Sequence, residues 1–164
     1  MRHGQQAPGK LPEDERFMRA ALGEAARAIK EDEIPVGAIV VHGGRILARA
    51  HNRSLHLSDP TAHAEVLALR RAARKLGNYR LTGCSLYVTI EPCAMCAGAI
   101  VQARLRCVVF GTADPKAGAG GSVLAILNHP KLNHRVEVRS GVLKEECAFI
   151  LREFFRRRRK KKSA

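Results

Sequence analysis

Ser85-Leu86-Tyr87-Val88-Thr89-Ile90-Glu91-Pro92-Cys93-Ala94-Met95-Cys96 is the stretch on which the reading of this chain turns. Ser85 to Ile90 has the β-branched and aromatic content of a strand, and Glu91-Pro92 ends it by opening a helix that runs to about Ala103. Cys93 and Cys96, three apart in the first turn, lie on one face and can bind an ion together. Upstream, His63-Ala64-Glu65 occupies the matching place in another helix. That helix is read to open at Asp59-Pro60-Thr61, where Asp or Thr caps and Pro suits a first turn, and to stop at Gly77.

One imidazole and two thiolates fill three positions of a tetrahedral zinc and leave the fourth for water. On an ideal helix His63 and Glu65 project roughly 200° apart, so they meet one metal only beyond the helix end. Helix N-termini carry partial positive charge, which favours thiolates. The expectation is one zinc clamped between two helix N-termini. Glu65 is the wrong type for a sulfur-rich structural site and the right type for moving protons from an acidified water. A structural zinc ribbon competes with this reading, but nothing else supplies a fourth ligand at a customary spacing.

Working outward, Phe17, Ala21, Ala25, Ala28 and Ile29 recur at helical spacing from Pro12 to about Glu31. Val36 to Val41, Gly43-Gly44 and Ile46 to Ala50 read as a hairpin with a tight turn. Beyond the Cys-x-x-Cys helix come a strand from Arg106 to Gly111, a glycine-rich loop from Ala117 to Gly121 and a short helix. A strand at Val136 to Val138 and a terminal helix from about Leu143 to Arg156 follow. The expected order is α-β-β-α-β-α-β-α-β-α, an α/β protein with one mixed sheet and helices on both faces. Residues 1–11 read as a flexible arm, 12–156 as one domain and 157–164 as a basic disordered tail.

The 164 residues carry a net charge of +14, of which seven units come from the unbroken run Arg156 to Lys162, leaving +7 on the rest. A basic body with a basic tail points to a polyanionic partner. Five cysteines, two of them in a Cys-x-x-Cys, favour metal chemistry over a disulfide framework. Cys84, Cys107 and Cys147 fall in apolar surroundings and read as core thiols. No run approaches the roughly 20 apolar residues of a membrane span, and Met1 to Lys10 has no apolar signal region. The expectation is a cytoplasmic protein with no membrane contact.

The His-x-Glu and Pro-Cys-x-x-Cys pair matches the signature of zinc-dependent nucleobase deaminases. From Ile34 onward the chain resembles the bacterial tRNA-specific adenosine deaminases (the TadA family) of the cytidine/deoxycytidylate deaminase superfamily. The resemblance is carried by Ile34-Pro35-Val36-Gly37-Ala38, Asn52-Arg53, Asp59 to Glu65, Asn78-Tyr79-Arg80-Leu81 and Leu86 to Ala99. Further matches are Val109-Phe110-Gly111, Gly118-Ala119, Asn133 to Glu137, Glu146-Cys147 and Phe154-Phe155-Arg156.

It implies a three-layer α/β/α cytidine-deaminase-like fold around a mixed five-stranded sheet, and a homodimer. It also implies conversion of the wobble adenosine of an arginine tRNA anticodon to inosine. By the same resemblance, His63, Cys93 and Cys96 hold one Zn²⁺ per subunit and Glu65 is catalytic. Asn52 bonds the base edge, Ile34, Pro35 and Val36 wall the base pocket, and backbone donors near Ala64 steady the intermediate. Asp114, Lys116, Phe154, Phe155 and Arg156 contact the anticodon stem-loop. Pro115, where the family more often has another residue, stiffens that contact loop.

The residues by themselves leave other roles open. Ile34 and Val36 suit strand core, Asn52 a turn, Asp114 and Lys116 a solvated loop, and at least one of Phe154 and Phe155 the core. Two other functions compete: a deaminase of a free base or nucleoside, cytosine or guanine type, and a zinc-stabilised RNA-binding module. The high positive charge argues against the first and Glu65 against the second.

Overall fold

The computed structural model describes residues 11–163. Helix α1 (Leu11–Lys30) has Glu13 and Asp14 in its first turn and Arg27 and Lys30 in its last, the arrangement its dipole favours. Its buried stripe, Phe17, Met18, Ala21, Ala25 and Ala28, is small enough for a very close approach to the sheet. A Cβ on Gly37 would land inside the backbone of Ala21 and Ala25, so only glycine fits where strand β1 (Gly37–His42) begins. Strand β2 (Arg45–His51) returns antiparallel to β1 through Gly43 and Gly44, both with positive φ.

The remaining strands are β3 (Ser85–Ile90), β4 (Cys107–Thr112) and β5 (Glu137–Ser140). Their order in the sheet is β2-β1-β3-β4-β5. β1 pairs antiparallel with β3, and β3, β4 and β5 run parallel. On one face, Ala38, Val40, Leu86, Val88 and Val108 pack against helices α3 (Ala64–Leu76) and α4 (Ala94–Gln102). On the other, Ile39, Val41, Tyr87 and Val109 meet α1 and, through Cys147, helix α5 (Lys144–Lys162). The result is the expected three-layer α/β/α fold. Leu86, Val88, Ile100 and Val108 are wholly buried, each contributing about 1.5–3 kcal/mol of apolar transfer. Cys84, Cys107 and Cys147 are buried free thiols.

Several local expectations are corrected. Asp59-Pro60-Thr61 does not open α3: Asp59 Oδ1 accepts from both the Thr61 N–H at 2.8 Å and its hydroxyl at 2.7 Å, closing a turn. The helix starts three residues later, and a single-turn helix α2 (Ser54–Leu57) precedes that turn. Among the described residues no helix lies between β4 and β5; that segment is a looped excursion bridged at Gly120 and Ala125.

The tail read as disordered is helical through Lys162. Arginine and lysine are strong helix formers, and cations in a last turn complement the dipole. Arg158 also anchors the end by donating to the Asp32 carbonyl at 2.9 Å. The expected arm falls on residues outside the described ones, except Leu11, which begins α1. Among the described residues no helix is long and apolar enough to cross a membrane.

Candidate active site and metal centre

His63 and Cys93 occupy equivalent places, each the N-cap of its helix with extended backbone: φ −74°, ψ 150° and φ −73°, ψ 176°. Neither side chain caps its helix. A cap of the favoured type stabilises by about 1 kcal/mol, and both helices forgo it. The two side chains are thereby free to turn towards each other. Because His63 is not itself helical, the 200° separation expected from Glu65 does not arise, and both reach one cleft.

The donor set has the dimensions of a tetrahedral site. His63 Nδ1 lies 3.6 Å from Cys93 Sγ and 3.4 Å from Cys96 Sγ, and all three donor atoms fall within 4.8 Å of one another. A zinc with ordinary bond lengths, about 2.05 Å to nitrogen and 2.3 Å to sulfur, has N···S edges of about 3.6 Å. One imidazole nitrogen and two sulfurs also suit zinc chemically, and their charges balance it. As protein alone, the trio shares protons. Cys93 is held down to about 3 by hydrogen bonding from Cys96 and His63. Cys96 is pushed far up by its bond to Cys93 and by burial, and His63 is raised by its bond to Cys93.

Glu65 is 3% exposed in the first turn of α3, at the floor of the cleft. Burial pushes its carboxyl above the ordinary range, against smaller opposing pulls from its own backbone N–H and from His63. A group poised in this way can take and return protons.

The cleft, about 550 Å³, opens at the C-terminal ends of the parallel strands, where Ile90 and Asp114 line it. That volume suits a nucleoside-sized ligand. Of the residues singled out from sequence, Ile34, Val36, Asn52, Asp114, Lys116 and Phe155 line it together with His63, Glu65 and Cys93. Cys96 and Ala64 are wholly buried beside it. Three others stand apart from the lining. Pro35 is buried, Phe154 packs inward at 7% exposure, and Arg156 is held by Glu153 through two bonds of 2.8 Å.

Sequence reasoning missed four supporting residues. Glu33, 0% exposed, accepts from Asn52 Nδ2 at 3.3 Å and from the His56 N–H at 2.7 Å. A carboxylate only accepts, so it fixes which way the Asn52 amide faces. Ser54 donates to Asn52 Oδ1 at 3.4 Å, which leaves one N–H and one lone pair for a ligand. Arg158, which no sequence signal singled out, also lines the cleft. Glu91 ties down the loop that carries Asp114 and Lys116.

The Glu91 carboxylate accepts from the N–H groups of Asp114 (3.1 Å), Gly120 (2.9 Å) and Ser122 (3.1 Å), and from the Ser122 hydroxyl. A Cβ on Gly118 would overlap that carboxylate, so glycine is required there too. Burial pushes the Glu91 carboxyl up, but the bonds from Ser122, Asp114 and Gly120 outweigh it and hold it below 4.5. A carboxyl depressed on folding contributes stability that is complete above its unfolded value and is lost as pH falls through the folded one. Glu91→Ala should therefore cost roughly 3 kcal/mol at pH 7, through the lost bonds from three part-buried N–H groups to a carboxylate, and less in strong acid, where that carboxyl is neutral. Denaturant unfolding at the two pH values, with hydrogen exchange at Gly120 and Ser122, measures it; an equal loss at both would refute the ionic anchor.

A layered α/β sheet that brings His-x-Glu and Cys-x-x-Cys donors to two facing helix N-termini defines a nucleobase deaminase of the zinc type. The family of MafB19-like deaminases matches residues 12–159. The tRNA-specific adenosine deaminase of Bacillus subtilis (strain 168) is 48% identical over 154 residues, 94% of this chain and 96% of that protein. A solved structure from studies of A-to-I editing by tRNA:A34 deaminases superposes with a TM-score of 0.80 at 47% identity, covering 83% of this chain and 99% of the other. The guanine deaminase of B. subtilis superposes less well, with a TM-score of 0.60 at 40% identity over 65% and 69% of the two chains. The chain belongs to the tRNA-specific adenosine deaminase family.

Proposed function

We propose that this protein hydrolytically deaminates adenosine to inosine at the wobble position of a tRNA anticodon, with an arginine tRNA as the expected substrate and one zinc per subunit. The observation that carries the reading is the buried proton carrier Glu65, set beside three metal donors at the floor of a nucleoside-sized cleft. Relatives named for this reaction along nearly the whole chain support the substrate. So does the net charge of +14, which a free-base deaminase would have little use for. The homodimer and a cytoplasmic location belong to the same reading.

His63, Cys93 and Cys96 would hold the zinc, which when bound supplies a Lewis acid and acidifies water towards neutrality. The anticodon loop offers unstacked bases, so extruding the target adenine costs little. Ile34 and Val36 flank the base, and Asn52, its amide fixed by Glu33, bonds the base edge. Glu65 takes a proton from the attacking water and gives it to adenine N1 as the water oxygen bonds to C6. It then carries the second proton to the amino nitrogen. The C6–N bond breaks, ammonia leaves, and inosine remains. Asp114 and Lys116, on the loop anchored by Glu91, meet the flanking nucleotides.

Incubation with tRNA transcripts and, separately, with free adenosine, cytidine and guanine tests the assignment through inosine and ammonia. Inosine in tRNA at the wobble position is the expected product. Ammonia from free cytidine or guanine, with none from tRNA, would overturn it; tRNA binding without any deamination would favour the binding module.

A further inference from the structure

One titratable ring outside the donor set, that of His51, is gripped on both sides by carboxylates. His51 ends β2 and is 8% exposed. Its Nδ1 lies 3.3 Å from Glu24 Oε2 of α1, and its Nε2 lies 3.0 Å from Glu31 Oε2 in the turn that leaves α1. A carboxylate only accepts, so a ring bonded to one on each side donates from both nitrogens and is the imidazolium. A neutral ring serves one of the two and turns a lone pair to the other. Cations share the same acceptors: Arg27 reaches Glu24 Oε1 at 3.4 Å, and Arg53 Nε lies 3.4 Å from Glu31 Oε2. The Glu31 carboxyl is held down first of all by the bond from His51, with lesser pulls from Arg53 and from His56 of α2.

These contacts cross a seam that ends in the cleft. On one side, the turn after α1 passes through Asp32, left-handed at φ 56°, and continues as Glu33, Ile34 and Val36. On the other side, β2 runs on into Asn52 and Arg53. The Asn52 side chain donates to Glu33 at 3.3 Å, and its N–H donates to the Val36 carbonyl at 3.1 Å. A non-glycine residue at positive φ is held there by its surroundings. His51 ties the residue just before it to both the helix body and the sheet. The ring itself does not line the cleft.

We propose that His51, as an imidazolium donating to Glu24 and Glu31, is a positioning residue that sets the base-edge amide of Asn52 against the wall formed by Ile34 and Val36. The inference rests on the deaminase reading above and adds a pH dependence of substrate binding to it. The clamp is complete while the ring is charged. One bond is lost as pH rises and the ring becomes neutral, so RNA binds more weakly while the chemical step is unchanged.

Glu24→Gln isolates this effect. The Gln amide offers its oxygen to the imidazolium and its N–H to the neutral ring, so both bonds survive in either state. KM and kcat for an anticodon stem-loop RNA are measured on both proteins from about pH 6 to about pH 9. Taking their ratio cancels the titrations they share. The KM of the unaltered protein relative to Glu24→Gln should rise by up to about tenfold with pH, the worth of one hydrogen bond to a charged group. The kcat ratio should stay near one. Nitrogen-15 imidazole spectra should show His51 losing one ring hydrogen over the same pH range. His51→Gln, which has one donor end and one acceptor end, should show the raised KM at every pH.

A KM ratio that is flat with pH, or a ring that never carries both hydrogens, would overturn the clamp. So would a native KM in His51→Gln, or a loss confined to kcat. Should His51→Gln fail to fold, Glu24→Gln and the ring spectra still decide. Failure of the unaltered protein to form inosine in any tRNA would instead sink the functional reading, and the ring spectra are read without RNA.

Discussion

Replacing Glu65 with Gln is expected to remove turnover by at least the 10²–10⁴-fold that a positioned proton carrier typically contributes, while metal content and fold survive. The substitution is close to isosteric, and Glu65 is 3% exposed in a site where burial already disfavours its charge. A neutral amide therefore belongs there sterically and electrostatically. What it lacks is a titratable oxygen. Two proton deliveries depend on that oxygen, one to N1 and one to the leaving nitrogen. Glu33, Glu91 and Asp114 also line the cleft, but their carboxylates already accept from Asn52 and His56, from Asp114, Gly120 and Ser122, and from Lys116 and Ala117. Single-turnover inosine formation, with zinc measured by elemental analysis, separates chemistry from metal loss. A near-native rate would remove Glu65 from the mechanism, and lost zinc would make it a structural support instead.

Metal removal should have the second largest effect, on stability as well as activity. The three donors already sit at the edges of a tetrahedral site, 3.4 and 3.6 Å from nitrogen to sulfur. Little rearrangement is needed to bind, and most of the affinity should accrue to the folded state alone. At free zinc a thousandfold above its dissociation constant the native state gains about 4 kcal/mol. For a chain of this size that corresponds to a melting temperature about 8–16 °C higher than after chelation. Cys96→Ser should reproduce the loss without chelator, since it trades a thiolate for a weaker hydroxyl donor. Thermal unfolding of dialysed and zinc-restored protein measures the effect. Melting that is indifferent to zinc, with no metal recovered from the native protein, would exclude the site as a metal centre.

The two motifs were legible because their partners are near in the chain and because few chemistries use that residue set. His63 and Glu65 are two apart and Cys93 and Cys96 three apart, so local spacing carries the information. The supporting residues were silent for the opposite reason. Glu91 acts on Asp114, Gly120 and Ser122, 23 to 31 residues away, and Arg158 on Asp32, 126 residues away. Glu33 resembles any acidic loop residue until the fold closes water out around it and turns it onto Asn52. The lost helix between β4 and β5 has the same origin. Of its backbone donors, Ser122 bonds the Glu91 carboxylate, Val123 and Leu124 the Gly118 carbonyl, and Ile126 that of Ala119, partners that local propensity does not contain.

The amino-acid sequence by itself determined the layered fold, the donor set and the presence of a proton carrier. Periodicity and motif spacing are properties of neighbouring residues, and they survive without knowledge of the fold. Only the tertiary structure decided how those parts face one another. It set His63 and Cys93 at two N-caps, so that the donors converge outside both helices. It turned Asn52 by a buried carboxylate, set Arg158 at the cleft, and made a helix of a run that composition alone describes as a charged tail. Each of these depends on which backbone ends meet in space, and that is settled by the packing of both sheet faces rather than by any local run of residues.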